Sequence, residues 1–400
     1  MPTRRDTLRM AGLAGLAQGA LPARAADGAA RLRTPVCTLL GIEHPILQAP
    51  MQFVATPALV ASVCEAGGFG ILPGIGLPPD QLRANIQEVR RLTQRPFGVN
   101  LILHSALRPP VDMTTFPAET ARSIASVLNR FRERLGLPPR HEAPPTLPDV
   151  LPALFEVILA EKVPVFSTGV GLPTAEMVKR CHQAGMKVMT MVATVADAVE
   201  AERLGADLIA AQGSEAGGHR SVGVKPASPE RAAIGGVALV PQVVRKVRVP
   251  VVAAGAIMDG RGLAGALALG ASGVLMGTRF IATLESGAPP FYKDALQAGD
   301  SDDTTLSDAF TGHYARFLRN RYLEEYRSSG APVFPVAVQQ LAVRDIVDAA
   351  AKKGDPSWFP MYAGQGVGAI DHIPAAADVV RTSVAEACEV LKGLTSLVAP

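Results

Sequence analysis

Short apolar runs alternate with amphipathic segments along most of this chain. The apolar runs at 46–51, 69–74, 97–103, 163–168, 187–192, 207–211, 249–254 and 273–276 read as buried strands. Between them, 57–66, 78–93, 152–162, 175–184, 195–204, 237–247 and 260–269 carry a helical pattern. In the second of these, Leu82, Ile86 and Val89 fall on one face with charges opposite. Four of the helices end alike: Ala66-Gly67, Ala184-Gly185, Leu204-Gly205 and Leu269-Gly270 each pass directly into a strand. Glycine just past the last helical turn is a stop signal. Strands and helices joined this tightly make parallel βαβ units. A count of about eight strands predicts an α/β fold of the (β/α)8 barrel class. An open doubly wound sheet is the competing architecture, but no G-x-G-x-x-G opens the first helix.

The rhythm breaks twice. Residues 104–150 are rich in proline and hold one long Arg-rich helical stretch at 119–135, which predicts an inserted helical segment after the third strand. From 284 to 400 the chain predicts a helical extension packed on the barrel. Within it, 291–325 reads as charged and partly helical, 334–353 as one helix, 358–368 as a glycine-rich loop, and 375–391 as a final helix.

Residues 1–27 differ from everything after them. Arg4-Arg5 precede a weakly apolar segment, and Ala23-Arg24-Ala25 follows it as a small-x-small cleavage pattern. This is the form of a twin-arginine export signal, and its apolar part is too short for a permanent span. The protein is expected to be periplasmic by that route, or cytoplasmic if the signal does not function. Residues 28–400 form the barrel domain.

The remaining composition narrows the function classes. A net charge of +3 over 400 residues, without a basic run, excludes a nucleic-acid signature. The four cysteines are scattered and lack metal-ligand spacing, so no metal is expected. Cys64 and Cys181 fall in apolar helical patterns and read as buried thiols.

Barrels carry function in the loops after the strands. The unusual residues sit there. Pro50-Met51 ends the first strand, Asn100 lies in the third, and Gly255 and Gly277-Thr278 end the last two. After the sixth comes Gln212-Gly213-Ser214-Glu215-Ala216-Gly217-Gly218-His219. Glycines let backbone approach a ligand, and histidine titrates near neutrality. Glycine-containing ends on the last two strands suit a phosphorylated cofactor.

The motifs HPILQAPM at 44–51, AGGFGIL at 66–72, FGVNL at 97–101, AQGSEAGGH at 211–219, VPVVAAGAI at 249–257, GVLMGTRF at 273–280 and YAGQGVG at 362–368 resemble the nitronate monooxygenase family, formerly called 2-nitropropane dioxygenase. The resemblance covers the chain from about residue 34 onward. It implies FMN as cofactor and an alkyl nitronate or nitroalkane plus O2 as substrates, with a carbonyl compound and nitrite as products. Ala49, Pro50 and Met51 would line the reactive edge of the flavin. Asn100 and Gln212 would hydrogen-bond its ring, and Gly217 and Gly218 would bring backbone near it. Gly255, Met276, Gly277 and Thr278 would hold the phosphate. His219 would be the catalytic base or orient the substrate. The alternative is an NAD(P)H-dependent FMN reductase of enoyl thioesters or quinones on the same barrel. Neither nucleic acid nor a membrane span is expected, and a homodimer is the one assembly considered.

Two positions depart from the family pattern: His313 stands where arginine is common, and Ser167-Thr168-Gly169-Val170-Gly171 lacks the usual aromatic. Both bear on the substrate. Glu215 reads as a loop carboxylate paired with Arg220, and residues 130–134 as a solvated arginine face.

Overall fold

The computed structural model describes residues 31–223 and 233–397. The expected export signal lies outside them. Strands β1 (Ile46–Gln48), β2 (Ile71–Pro73), β3 (Gly98–Ile102), β4 (Val165–Gly169), β5 (Lys187–Val192) and β6 (Leu208–Gln212) are followed by β7 (Gly218–His219), β8 (Val251–Ala254) and β9 (Gly273–Met276). All but β7 are parallel neighbours in one sheet, ordered β1-β9-β8-β6-β5-β4-β3-β2. A parallel bridge between Leu47 and Phe69 joins the two ends. There Gln48 N donates to Phe69 O at 2.8 Å and Phe69 N to Ile46 O at 3.0 Å. The result is a (β/α)8 barrel.

Side-chain alternation along each strand builds two cores. In β6, Leu208 and Ala210 point into the barrel with Leu47, Phe69, Val252 and Leu275. Ile209 and Ala211 point outward against the helices. Helix Pro35–Leu40 plugs the N-terminal end of the barrel with Val36, Cys37 and Leu40. The glycine stops behave as the pattern required: Gly67, Gly185, Gly205 and Gly270 have φ of 86°, 76°, 100° and 93°. Helix starts are fixed by side-chain caps, with Thr56, Thr174, Thr194 and Asp259 each accepting a backbone N–H of the first turn.

The two breaks in the rhythm pack together. Helix Ala118–Leu135 buries Ile124, Val127, Leu128, Phe131 and Leu135 in the same core as the extension. Phe131 meets Tyr322 at 5.2 Å and Trp358 at 5.1 Å between ring centroids. The solvated arginine face needs correction at one position. Arg132 is buried and donates to both carboxylate oxygens of Asp345 and to Ala342 O.

The extension holds two strands that the pattern missed, β10 (Thr304–Ser307) and β11 (Ala315–Leu318). They have no apolar run of their own. They form because β10 pairs antiparallel with β11, and β11 with β7. The expected helix at 334–353 is broken into Val338–Ala342 and Arg344–Lys353. The last helix, Ala376–Thr395, packs closely on Gly260–Ala268, where a Cβ at Gly260 would lie 2.6 Å from Glu386 Cβ. All four cysteines are buried free thiols.

Candidate active site

A cavity of about 1210 Å³, its open mouth included, lies at the C-terminal ends of the barrel strands. Its floor is mostly small or neutral: Ala49, Pro50 and Met51 after β1, Asn100 in β3, Gly169 at the end of β4 and Val170 just past it, and Gly255 and Ala256 after β8. Gly277 and Thr278 close the side after β9, and Gly217, Gly218, His219, Tyr292 and Tyr362 form the far wall. Every residue expected to touch the cofactor lines this space except one. Met276 is buried in the core between strands and helices, so its side chain faces away from the cavity. Strand alternation is the reason: in β9 it is Leu275 that points inward.

The loop after β6 is held by two buried arginines. Arg220 donates to the carbonyls of Gly213 at 2.7 Å and Gln212 at 2.9 Å. Arg316, on β11, donates to Ser214 O at 3.0 Å and Thr304 Oγ1 at 3.1 Å. Burial first, and then the Arg316 charge, lowers the Arg220 pKa from 12.5 to about 10, so it stays cationic at neutral pH. The Glu215 carboxylate accepts from Gly236 N at the start of helix Gly236–Lys246, at 2.8 and 3.0 Å. An anion there also meets the positive end of the helix dipole.

Gln212 acts as a bracket. Its amide nitrogen donates to His219 O at 2.8 Å, and its amide oxygen accepts from Ser221 N at 2.8 Å. One N–H and one lone pair remain for a ligand. Asn100 donates to Ser167 Oγ at 3.0 Å. The glycine pair has divided duties. A Cβ at Gly217 would lie 2.6 Å from Gly364 N, so Gly217 lets the 362–368 loop cross the β6–β7 loop. Gln365 N donates to Glu215 O at 2.8 Å in the same crossing, and Gly364 N to Thr278 Oγ1 at 3.0 Å.

At Gly218 and Gly277 the cavity reaches bare backbone. A Cβ at Gly218 would meet nothing within 4 Å, and one at Gly277 only Ala49 Cβ and Met51 Sδ at 3.8 Å. Such open backbone beside a neutral floor fits a flat heterocycle, and a hydroxyl at Thr278 suits a phosphate.

His219 stands on β7 opposite Ala315 of β11. Its Nε2 lies 2.9 Å from Thr311 Oγ1. The ring is 5.7 Å from Tyr362 and 6.3 Å from His313, and His313 is 4.9 Å from His104. His219 is partly exposed and lines the cavity. Burial, and secondarily a charge on His104, lowers its pKa from 6.5 to about 4. At neutral pH it is therefore an uncharged base facing the cavity.

The two departures from the family pattern have different fates. Gly169 and Val170 line the cavity, whereas His313 lies behind His219 and donates to Arg220 O at 3.0 Å. The sequence reading gave no role to Thr311, Tyr292 or Tyr362. Tyr362 opens the 362–368 motif and Thr311 is two residues from His313, so both stood beside signals already noted. Tyr292 carries no such signal. Its hydroxyl donates to Tyr362 O across the cavity wall.

Comparison with known proteins gives a consistent picture. A family model described as nitronate monooxygenase matches residues 33–386. The nitronate monooxygenase of Pseudomonas aeruginosa is 38% identical over 359 residues, covering 87% of this chain and 97% of that protein. A probable nitronate monooxygenase of Staphylococcus saprophyticus is 32% identical over 364 residues, covering 90% and 99%. Among solved structures, nitroalkane oxidase from Streptomyces ansochromogenes matches with a TM-score of 0.81 at 35% identity, over 90% of this chain and all 100% of that one. FabK from Thermotoga maritima matches with a TM-score of 0.71 at 32% identity, over 92% and 100%.

Proposed function

Because this chain belongs to the nitronate monooxygenase family, we propose that it is an FMN-dependent oxidase of alkyl nitronates, and of the nitroalkanes from which they form. The enzyme is a flavin-dependent oxidoreductase by family. The finer reading is that O2 is the oxidant, the substrate C=N bond is replaced by C=O, and nitrite leaves. FMN would supply the electron acceptor and the oxygen-reactive centre.

The chain's own residues do the remainder. Asn100 and the free valences of Gln212 bind the ring. Ala49, Pro50 and Met51 shape its reactive edge, and Gly217 and Gly218 give it a backbone wall. Gly255, Gly277 and Thr278 receive the phosphate, with Met276 contributing only main chain. His219, neutral at working pH, takes the proton from the carbon next to a nitro group, or orients a substrate already ionised. A general base of this kind contributes about 10²–10⁴-fold. The observation that carries the reading is the His219 imidazole lining the same cavity as the bare backbone of Gly218 and Gly277.

The test is anaerobic mixing of the purified protein with a nitronate and, separately, with NADPH, followed by flavin absorbance. Flavin reduction by the nitronate, and aerobic nitrite release without NAD(P)H, are expected. Rapid bleaching by NADPH alone would favour the reductase alternative. A colourless protein that takes up no FMN would reject both.

A further inference from the structure

The hydroxyl of Thr311 has two neighbours: His219 Nε2 at 2.9 Å and His313 O at 3.0 Å. A hydroxyl carries one hydrogen, and a carbonyl can only accept. That hydrogen therefore goes to His313 O. The contact with His219 is then a hydrogen bond only if Nε2 carries the proton and donates to Thr311 Oγ1. A neutral imidazole has a single N–H, so Nδ1 keeps the lone pair. The reverse assignment would set the Thr311 oxygen against the His313 carbonyl with no hydrogen between them.

Thr311 is well placed to enforce this choice. It is buried, and its turn is locked by Thr311 N and Gly312 N donating to Asp308 O at 3.1 and 2.7 Å. Ala337 N donates to Thr311 O at 3.1 Å from the far side. His313 is fixed in turn by its Nε2 bond to Arg220 O. The other titratable rings around His219 are His313, His104 and Tyr362, and the nearby guanidiniums of Arg220 and Arg316 bond to backbone carbonyls.

We propose that Thr311 is the positioning residue that sets the tautomer of His219 and so makes Nδ1 the atom that accepts the substrate's proton. In that step a C–H bond next to the nitro group breaks and an Nδ1–H bond forms. The electron pair stays on the substrate as nitronate, and the Nε2 proton does not move. This rests on the proposed function, but its first test does not.

The first measurement is ¹⁵N NMR of the full chain labelled at its seven histidines, with His219 assigned by its loss in His219→Asn. At neutral pH the wild type should show protonated Nε2 and unprotonated Nδ1. Thr311→Val should shift the ring toward a tautomer mixture, and Thr311→Ser should restore it. The second measurement compares a neutral nitroalkane with its preformed nitronate, which needs no proton removed. In Thr311→Val, kcat/KM for the nitroalkane should fall on the order of tenfold or more, part of what a general base contributes. The nitronate value should fall much less, and Thr311→Ser should recover most of the loss. Protonated Nδ1 in the wild type overturns the proposal, even if the valine variant does not fold. So does a nitroalkane-to-nitronate ratio unmoved by Thr311→Val. A wild type that oxidises neither compound ends the functional reading and leaves the NMR result to decide the tautomer.

Discussion

The floor and the far wall of the cavity are built in opposite ways. The floor comes from the barrel strands themselves, with Ala49 after β1, Asn100 in β3 and Gly255 after β8, and Gly277 after β9 closes its side. The wall comes from segments far apart in the chain: the β6–β7 segment ending at His219, helix Pro290–Ala298 with Tyr292, and the loop that begins at Tyr362, with Thr311 bonded to His219 behind them. The floor is bare and uncharged and can accommodate a flat cofactor. The wall carries the titratable chemistry, held by buried arginines and by one strand pairing. On the proposed function, most of the flavin contacts fall to the floor and the proton transfer to His219 in the wall, so the two can be perturbed separately.

The largest effect should come from the wall. His219→Asn is expected to lower kcat/KM for a neutral nitroalkane by about 10²–10⁴-fold, while bound flavin stays near the wild-type level. Equal losses of turnover and flavin would merge the two regions. A change to the floor should do the reverse. Gly277→Leu places a side chain in open cavity without a backbone clash, since its Cβ meets nothing closer than 3.8 Å. Flavin retained after purification should drop by roughly tenfold or more, with thermal stability little changed; full flavin content in this variant would remove Gly277 from the site.

A third change probes the layer beneath the wall. Arg132 ties the inserted helix to Asp345 of the extension at 2.9 Å, and Arg140 also reaches Asp345 at 3.2 Å. Breaking a buried pair by removing one partner costs about 3–5 kcal/mol. With Arg140 remaining, Arg132→Met should sit near the low end on a denaturant curve, with activity per folded molecule preserved. Lost activity in the folded variant would mean that this layer tunes the site.

The smallest effect concerns pH. His219 has its pKa lowered from 6.5 to about 4. The acid limb of kcat/KM for a nitroalkane should therefore lie near 4, because the base is lost only below its folded pKa. The same shift makes the unfolded chain bind this proton first. The His219 contribution to stability is thus full above 6.5 and declines as pH falls toward 4. An acid limb near 6.5 would place a different group in the base role.

Legibility in the sequence followed the same division. Strand ends were readable because a buried parallel strand writes an apolar run and the loop after it breaks that run. Gly67, Gly185, Gly205 and Gly270 marked the helix ends because positive φ is a local demand. The run GVLMGTRF does not say which alternate residue faces inward, and the structure turns the Met276 side chain into the outer core. β10 and β11 were missed because Thr304–Ser307 and Ala315–Leu318 become strands only by pairing with each other and with β7. Arg132 read as solvated because its helix looked charged, and its partner lies 213 residues away.

The sequence alone therefore determined the barrel, the loops that carry the site and the histidine that ends the glycine run. Each of these rests on periodicity or backbone preference within a few neighbouring residues. Tertiary structure alone decided which face of each strand end meets the cavity, which arginines are buried, and that Thr311, 92 residues from His219, bonds to its ring. Those outcomes depend on contacts between distant segments, and local patterns do not encode them.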